Sequence, residues 1–497
     1  MSEKKKEEDI QSGFLTIKDL YSKISEYNPL QNDSFYPDQI DMARLFSMTI
    51  SQYCRFNADA NAWFMYDGMR WRKDAGNMKT ENIAQNYQKA LLAFCLNTIT
   101  DDVKKRTDDE KMFCKLCERL ADRTYRVKLL KDAASYKAIT YSSLDQKKNY
   151  LNCQNGTLDL NNFELKDHNQ QDMLSMVTRC NYVQGASSEA WDQFMNEIMQ
   201  GDSEKIRYLQ KVAGLCLTCD MTAEQSFILY GSTTRNGKSA FIETLGYMLG
   251  DYSVVSSPSI LEDRVKNSAA ASPDVACLAG KRLVRIPELP KRMLFNSSLF
   301  KQITGGDEIN ARFLYENDFN FSPVCKIIFN TNYLPEISDD SVFASDRLKI
   351  ISFDRHFSEE EQDHTLKDKL RKPENLSGIL NWCLEGLKLY RSEGLQAPAN
   401  VNSATQEYRD DQDKIKNFFA EAMVSNPERN TSLKQAYQYY KMWCIDNGNG
   451  IDKKKNFKAD LISHGLFKRY GVVDGMTIYN VIPGYSVSPD FINEHRI

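Results

Sequence analysis

The 497-residue sequence has no run of about eighteen consecutive apolar residues, the length that a membrane-spanning helix needs. Its N-terminal segment is rich in charge of both signs and lacks the apolar core of a signal peptide. We therefore expect a soluble, cytoplasmic protein that is not exported and makes no membrane contact.

The sequence also lacks a strong net charge and a regular cysteine pattern. The formal net charge is -4, so any nucleic-acid binding must come from local basic patches. Twelve cysteines in a chain of this length do not make a disulfide framework. Cys114 with Cys117, and Cys216 with Cys219, have the spacing of zinc half-sites, but the pairs are far apart and the five histidines are scattered. We expect buried thiols and no metal bound by cysteine.

No internal repeat and no low-complexity tract is present, which excludes solenoid and fibrous classes. Up to about residue 200 the pattern is mostly helical, with short hairpins such as the one around Asp67-Gly68. Between residues 224 and 353, apolar strands alternate with helices, which predicts a parallel sheet. Beyond Thr431 the order is helix, helix and a hairpin turning at Asp474-Gly475, which is typical of a winged helix.

A glycine-rich segment follows the apolar run at 227–230 and reads Gly-Ser-Thr-Thr-Arg-Asn-Gly-Lys-Ser. Between a buried strand and a helix, such a turn directs backbone N–H groups at phosphates. Lys238 would reach the β and γ oxygens, and Ser239 would place a hydroxyl on Mg²⁺. Five residues, where the consensus has four, separate the two glycines. The segment predicts a site for ATP and Mg²⁺ made of Gly231, Ser232, Thr233, Thr234, Arg235, Asn236, Gly237, Lys238 and Ser239.

An acid follows the next predicted strand, which begins at Arg282. Glu288 stands where an ATPase holds Mg²⁺ or polarises the attacking water. Pro287 occupies the preceding position, where many ATPases have a second acid. Glu288 is therefore the single carboxylate available for these roles. The alternative is a solvated glutamate at a strand end.

A third predicted strand begins at Lys326 and runs into Asn330-Thr331-Asn332. An amide at this strand end can bind the γ-phosphate or orient water as a sensor. Alternation after the strand favours Asn332 over Asn330. The alternative is ordinary turn chemistry, because asparagine is common at strand ends.

Two further segments suit contact with nucleic acid. After the turn at Gly305-Gly306, a predicted strand carries Arg312 and Tyr315, a basic and an aromatic side chain that fit a single strand. The alternative is a structural hairpin with Phe313 in the core and Arg312 on the surface.

Near the C-terminus, a basic cluster could contact phosphates electrostatically. The alternative is a solvated helix face. From this cluster we select Lys454, Lys455 and Lys458 as candidate DNA contacts.

Arg347 precedes the apolar strand at 350–351. At a subunit edge it could reach the γ-phosphate bound by a neighbouring subunit. From the residues alone, a surface ion pair with Asp346 is the better interpretation.

These motifs occur in a specific order: the glycine-rich loop, the stretch from Ala271 leading to Glu288, the segment 304–315, and Asn330-Thr331-Asn332. In that order they resemble the superfamily 3 helicases, in particular the phage and plasmid primase-helicase group related to the poxvirus primase-helicase. Flanking segments at 155–160 and 378–386 extend the resemblance over roughly residues 50 to 485.

The resemblance implies an AAA+-like ATPase that forms a hexameric ring around one DNA strand. It implies that Lys238 and Ser239 bind ATP and Mg²⁺, that Glu288 activates water, and that Asn332 is the sensor. It also implies that Arg347 acts in trans on the neighbouring subunit's nucleotide, which reverses the interpretation from the residues alone. The hairpin with Arg312 would line the central channel.

We therefore predict an α/β fold: an AAA+-like P-loop ATPase core, an N-terminal mainly helical domain and a C-terminal winged-helix domain. The predicted domains are a tail and helix at 1–50, a helical domain at 51–200, the ATPase at 201–365, a connector at 366–410 and the winged helix at 411–497.

The predicted function is an ATP-dependent replicative DNA helicase of a phage, prophage or plasmid in a bacterial cytoplasm. It would act on single-stranded and forked DNA as a homo-oligomer, with a separate primase or initiator as partner. The alternatives are an initiator or loader without strong unwinding, and a small-molecule kinase with a phosphate loop.

Overall fold

The computed structural model describes residues 15–262, 273–290, 293, 295–335, 337, 341–448 and 450–495. Residues 1–14 of the predicted tail and helix at 1–50, and Ala271, lie outside these residues. The chain divides into two compact units, Met1–Pro335 with Asp346–Val401, and Glu336–Ser345 with Asn402–Ile497. The fold is mixed α/β. The predicted domain boundaries remain predictions.

The described helices, numbered along the chain, are α1 Ile17–Tyr27, α2 Gln39–Ile50, α3 Met78–Thr98, α4 Asp108–Arg119, α5 Arg123–Ala133, α6 Glu189–Ile198, α7 Ser203–Leu215, α8 Lys238–Leu249, α9 Pro273–Ala276, α10 Ser297–Gly305, α11 Ser341–Ala344, α12 Leu366–Leu370, α13 Pro373–Glu393, α14 Ala399–Gln412, α15 Lys414–Ala422, α16 Leu433–Asp446, α17 Lys454–Ser463 and α18 Pro489–Glu494.

The described strands are β1 Cys54–Asn57, β2 Ala62–Tyr66, β3 Trp71–Lys73, β4 Tyr150–Cys153, β5 Gly156–Asp159, β6 Glu164–Lys166, β7 Ser226–Tyr230, β8 Ser253–Val255, β9 Leu283–Pro287, β10 Ile309–Ala311, β11 Phe319–Phe321, β12 Lys326–Thr331, β13 Leu348–Ser352, β14 Met423–Ser432, β15 Lys468–Val473 and β16 Met476–Val487.

The N-terminal part of the first unit combines helices α1 to α5 with the antiparallel sheet β1-β2-β3. Its helix starts are set by local side chains: Thr16 and Asp19 form a capping box at α1, and Thr107 and Glu110 form another at α4. The β2–β3 hairpin turns at the predicted Asp67-Gly68. Buried aromatic residues fill its core, because each large ring removes much apolar surface from water.

The predicted parallel sheet is present in the first unit. Its strand order is β13-β7-β12-β9-β8, and every neighbouring pair is parallel. Residues 226–229 of β7 are all buried, as expected for a parallel sheet that is covered on both faces. Because the strands are parallel, the residues that follow β7, β9 and β12 meet at one edge, which we call the carboxyl edge.

The hairpin β10–β11 differs from its prediction. The first strand spans only Ile309–Ala311, so Arg312 follows the strand and Tyr315 lies in the connecting segment. Tyr315 has φ 65°, a left-handed conformation that cannot continue a strand. The prediction that a strand carries both residues was therefore wrong, because residue types alone did not reveal the turn.

The second unit contains α15, β14, α16, α17 and the hairpin β15–β16 in that order, with an antiparallel sheet β14-β16-β15. The hairpin turns at Asp474 and Gly475, both at positive φ, which the short primed turns require. Helix, helix and hairpin were predicted in this order. Strand β14 was missed, because Pro427 and its polar neighbours give no alternating apolar pattern.

Among the described residues, no helix is both long and apolar enough to cross a membrane.

Helices α7 and α13, which flank the parallel sheet in sequence, pack with their backbones in contact. A Cβ added at Gly386 would overlap the carbonyl of Gln210, and one added at Gly214 would overlap the backbone of Leu387. Neither glycine needs a positive φ, so the requirement is for space alone.

We predict that Gly386→Ala destabilises the first unit by about 2 kcal/mol, because its methyl group meets backbone that cannot rotate away. Urea unfolding measures the change. Glu385→Ala, on the exposed face of the same helix, is the matched control and should change stability by less than about 0.5 kcal/mol. Equal effects of the two variants would contradict the backbone-contact argument.

Candidate active site

The carboxyl edge brings together the residues that the sequence places after three strands. Gly231 follows β7, Glu288 follows β9, and Asn332 follows β12. Strand β12 lies between the other two. In open α/β sheets this edge is where ligands bind.

The loop at 231–237 connects β7 to α8 and depends on its two glycines. Gly237 caps α8 at φ 83°, and a Cβ there would overlap Ile198. A Cβ at Gly231 would overlap the side-chain amide of Asn236, which is buried and donates to the carbonyl of Thr233 at 2.7 Å. The close approach of side chains to the loop backbone therefore requires glycine at both ends.

A segment after β13 packs against the outside of this loop. The N–H of Phe357 donates to the carbonyl of Arg235 at 2.9 Å, and His356 Nδ1 lies 2.9 Å from the carbonyl of Thr234. Arg235 also lies 3.3 Å from Glu359 in an exposed ion pair. These contacts fix the middle of the loop from one side.

Lys238 is the first residue of α8 and is only 4% exposed. Its Nζ donates to Asn332 Oδ1 at 2.8 Å and to Asn236 Oδ1 at 3.0 Å. It makes no ion pair with any carboxylate in the described part of the chain. Burial lowers the pKa of Lys238 to about 8. A buried ammonium beside a helix N-terminus, with neutral oxygens as its partners, is a place where an anion is stabilised.

Ser239 is exposed at the second position of α8. The Nδ2 of Asn330 donates to its Oγ at 3.0 Å. Strand β12 therefore supplies two amides to the start of α8, Asn330 to Ser239 and Asn332 to Lys238. Sequence reasoning selected Asn332 and passed over Asn330. The sequence did contain a signal for Asn330, because Asn330 and Asn332 flank a single residue at the end of the same strand.

Glu288 is held at the carboxyl edge by its backbone. Its N–H donates to the carbonyl of Asn330 at 2.8 Å, and its φ is 43°. Its side chain is exposed, and the carboxylate makes no hydrogen bond or ion pair with another described residue. Glu288 is thus attached through its backbone to the strand that also contacts Ser239 and Lys238, and no described basic group pairs with its carboxylate.

Arg347 lies at the opposite edge of the sheet. Its carbonyl accepts from the N–H of Ser226, the first residue of β7, at 2.8 Å. Five strand steps of about 3.3 Å separate Ser226 from Gly231, so roughly 16 Å lies between the two edges. Arg347 is therefore not brought to the Lys238 site of its own chain.

The guanidinium of Arg347 forms an ion pair with Glu224 and donates to Thr304 Oγ1 at 2.9 Å. Asp346 pairs instead with Lys349, at 2.6 Å. The ion pair between Arg347 and Asp346 that the residues alone favoured was therefore wrong. Asp346 has φ 56°, a turn conformation that separates the directions of adjacent side chains.

The tip of the β10–β11 hairpin exposes Tyr315 fully, while Arg312 lies 3.6 Å from Asp318 in an ion pair. The same tip is attached to the N-terminal part of the unit. Glu316 accepts from Lys73 Nζ at 2.6 Å and from the Tyr141 hydroxyl at 2.8 Å.

The hairpin core contains Phe313, whose ring stacks on Phe319 at 5.7 Å. The structural alternative for Phe313 is thus observed, and the exposed Tyr315 remains open to a ligand.

In the second unit, Lys454 and Lys455 are exposed on α17. Lys458 donates to Asn480 Oδ1 at 2.9 Å and lies over the ring of Phe467 at 4.8 Å. Its ammonium thus joins α17 to the β15–β16 hairpin.

The twelve cysteines are free thiols. In the described residues, no group of three or more His, Cys, Asp or Glu side chains is arranged to hold a metal ion.

Two family descriptions match the chain. Residues 43–200 match the family described as D5 N terminal like, and residues 229–347 match a family of unknown function. Similar curated viral proteins carry provisional helicase names. The relative from Acanthamoeba polyphaga mimivirus is 26% identical over 449 residues, covering 84% of this chain and 46% of the relative.

The relative from Frog virus 3 is 25% identical over 53% of this chain and 28% of its own length. That from Invertebrate iridescent virus 6 is 20% identical over 69% of this chain and 39% of its own length. The chain thus spans less than half the length of these curated relatives. The N-terminal part of the chain is therefore similar to the family described as D5 N terminal like.

Among solved structures, the C-terminal region of NrS-1 is similar to this chain, with a TM-score of 0.47 at 10% identity. The match covers 90% of this chain and all of that one. A second structure of the region has a TM-score of 0.48 at 11% identity, covering 89% of this chain and 99% of that one.

Proposed function

We propose that the protein is an ATP-dependent DNA helicase of the superfamily 3 type, which hydrolyses ATP at the subunit interfaces of a ring and moves along single-stranded DNA. The observation that carries the proposal is the buried ammonium of Lys238 at the N-terminus of α8, held by neutral amide oxygens beside Ser239. Such a group is suited to bind phosphates. The helicase names of the viral relatives support the choice of motor over other ATPases.

The residues at the carboxyl edge fit ATP and Mg²⁺. The loop at 231–237 and the first turn of α8 would cradle the phosphates through backbone N–H groups. Lys238 would bind the β and γ oxygens. The Ser239 hydroxyl and the Glu288 carboxylate are oxygen ligands of the kind that Mg²⁺ prefers. When bound, Mg²⁺ would neutralise part of the phosphate charge.

The hydrolytic step needs a positioned water and a contact that responds to the γ-phosphate. The Glu288 carboxylate, which no described basic group neutralises, would accept a hydrogen bond from the attacking water and polarise it. Asn332 is bound to Lys238, so its amide would sense whether a γ-phosphate occupies the lysine.

Arg347 would supply the remaining positive charge from the neighbouring subunit, because it lies at the edge of the sheet opposite its own loop. A homo-oligomeric ring, a hexamer by resemblance, places the opposite edges of neighbouring subunits together. By the same resemblance, the protein would belong to a phage, prophage or plasmid and act in a bacterial cytoplasm with a separate primase or initiator.

DNA would meet the protein at two surfaces. Tyr315 is fully exposed at the hairpin tip and offers a ring for an unpaired base, and Arg312, three residues earlier, offers a cation for a phosphate. Lys454 and Lys455 offer exposed charge on α17, and Lys458 adds charge next to them. These five residues are proposed DNA contacts.

The test is ATP hydrolysis with and without single-stranded DNA, measured beside unwinding of a forked duplex. We expect DNA-stimulated hydrolysis and unwinding, both lost in Lys238→Ala. Tyr315→Ala should keep basal hydrolysis and lose DNA stimulation, whereas Leu314→Ala, a neighbouring exposed apolar residue at the same tip, is the matched control.

Other outcomes select the alternatives. DNA-stimulated hydrolysis without unwinding would favour an initiator or loader. Hydrolysis that does not respond to DNA would overturn the helicase proposal and favour a small-molecule kinase.

ATP affinity should depend on pH through Lys238, whose pKa is about 8 without nucleotide. Bound phosphates favour the ammonium, so above about pH 8 binding must take up a proton, and the affinity should fall by up to about tenfold per pH unit. Below this pH the lysine is already charged and contributes no pH dependence. Titration with a fluorescent ATP analogue from about pH 7 to pH 9.5 measures the slope.

Lys238→Arg is the control for this titration, because arginine stays charged throughout the range. Its ATP affinity, even if weaker, should lose the slope. An unchanged slope in the variant would assign the pH dependence to another group.

Arg347→Ala should bind ATP normally and lose hydrolysis by about a thousandfold or more, the effect of removing an arginine that acts in trans. Mixing it with Lys238→Ala protein should restore part of the activity, because one kind of interface in the mixed ring then has both residues. The measurement is steady-state hydrolysis of the mixture at varied ratio.

Glu224→Gln separates this role from a purely structural ion pair. It removes the charged partner of Arg347 within the chain but leaves the arginine present, so it should retain hydrolysis. Loss of activity equal to that of Arg347→Ala, without rescue in the mixture, would count against the shared site.

A further inference from the structure

We propose that Asn330 is a positioning residue that takes the place of the acid missing before Glu288 and sets how strongly the site binds Mg²⁺. The inference rests on the proposed ATP and Mg²⁺ site. It concerns a residue to which the proposed mechanism gives no role.

The register of the sheet places Asn330 beside the missing acid. Pro287 occupies the position before Glu288 and has no polar side chain. In the parallel pairing of β12 with β9, Pro287 is the direct partner of Asn330. The polar group that β9 lacks at its end is thus supplied from the adjacent strand.

Asn330 contacts both proposed ligands of Mg²⁺. Its side-chain Nδ2 donates to Ser239 Oγ at 3.0 Å, and its carbonyl accepts from the N–H of Glu288 at 2.8 Å. Asn330 therefore fixes the Ser239 hydroxyl through its side chain and the backbone of Glu288 through its own carbonyl. Outer partners of this kind orient metal ligands.

The chemistry of an amide differs from that of an acid at this place. The amide donor uses one lone pair of the Ser239 hydroxyl and leaves the other for a cation. It adds no negative charge, so Glu288 alone contributes a carboxylate. We therefore infer a site whose hydroxyl is well oriented but whose attraction for Mg²⁺ is weaker than with two acids.

Asn332 has a different task, because its oxygen binds the ammonium of Lys238 at 2.8 Å. Asn330 should therefore influence binding only when Mg²⁺ is present, whereas Asn332 should influence nucleotide binding with or without the ion.

The experiment measures affinity for a fluorescent ATP analogue as Mg²⁺ is varied, and again in excess chelator, so that no turnover is needed. We expect Asn330→Ala to raise the Mg²⁺ concentration for half-maximal affinity by about tenfold, the usual effect of losing an outer partner, with unchanged affinity in chelator. Asn330→Asp, close in shape to the parent residue, should lower that concentration because it adds the missing charge.

A double-mutant cycle tests whether Asn330 acts through Ser239. In a Ser239→Ala background, Asn330→Ala should cause little further change in the Mg²⁺ requirement. Asn332→Ala is the comparison variant and should weaken binding in chelator as well.

The outcomes separate this inference from the proposed function. If the parent protein binds the analogue with a clear Mg²⁺ dependence that Asn330→Ala and Asn330→Asp leave unchanged, the positioning role is overturned and the nucleotide site stands. If the parent protein does not bind the analogue, both fall. If Asn330→Ala fails to fold, Asn330→Asp decides: a lower Mg²⁺ concentration for half-maximal affinity supports the positioning role, and an unchanged or higher one overturns it.

Discussion

The arrangement of the site depends on one buried ammonium, that of Lys238, held by the amide oxygens of Asn236 and Asn332. Carboxylates would hold a lysine more firmly, but they would cancel the charge that a phosphate needs. Neutral oxygens orient the ammonium and leave its charge available, and burial lowers the pKa of Lys238. Gly231 is required because it lets the Asn236 amide come close to the loop backbone, and Gly237 because it lets Ile198 pack against the start of α8.

Much of this could be predicted from local sequence. The apolar run, the glycines and the helical spacing around Lys238 are neighbours in the chain, and they predicted the strand, turn and helix correctly. The contact of Asn330 with Ser239 could not be predicted, because it depends on which strands are adjacent and in what register. The partner of Arg347 was missed for a related reason, since Glu224 is distant in sequence and is brought near by the pairing of β13 with β7.

The first unit connects its hairpin to its N-terminal part as well as to the sheet. Glu316 binds Lys73 and Tyr141, while the neighbouring Tyr315 stays fully exposed. Of these two adjacent residues, Glu316 anchors the hairpin tip, whereas the side chain of Tyr315 stays exposed. The left-handed backbone at Tyr315 makes this division possible, because it turns the side chain out of the strand direction.

The separation of Lys238 and Arg347 on opposite edges of one sheet has a consequence for how the protein behaves when it is dilute. Under the proposed function, a single chain carries two halves of different sites and no complete one. Nucleotide can be captured by a lone subunit, but it is consumed only after subunits meet. The geometry alone thereby makes ATP hydrolysis depend on assembly. Newly made or dissociated copies stay inactive without any separate inhibitor.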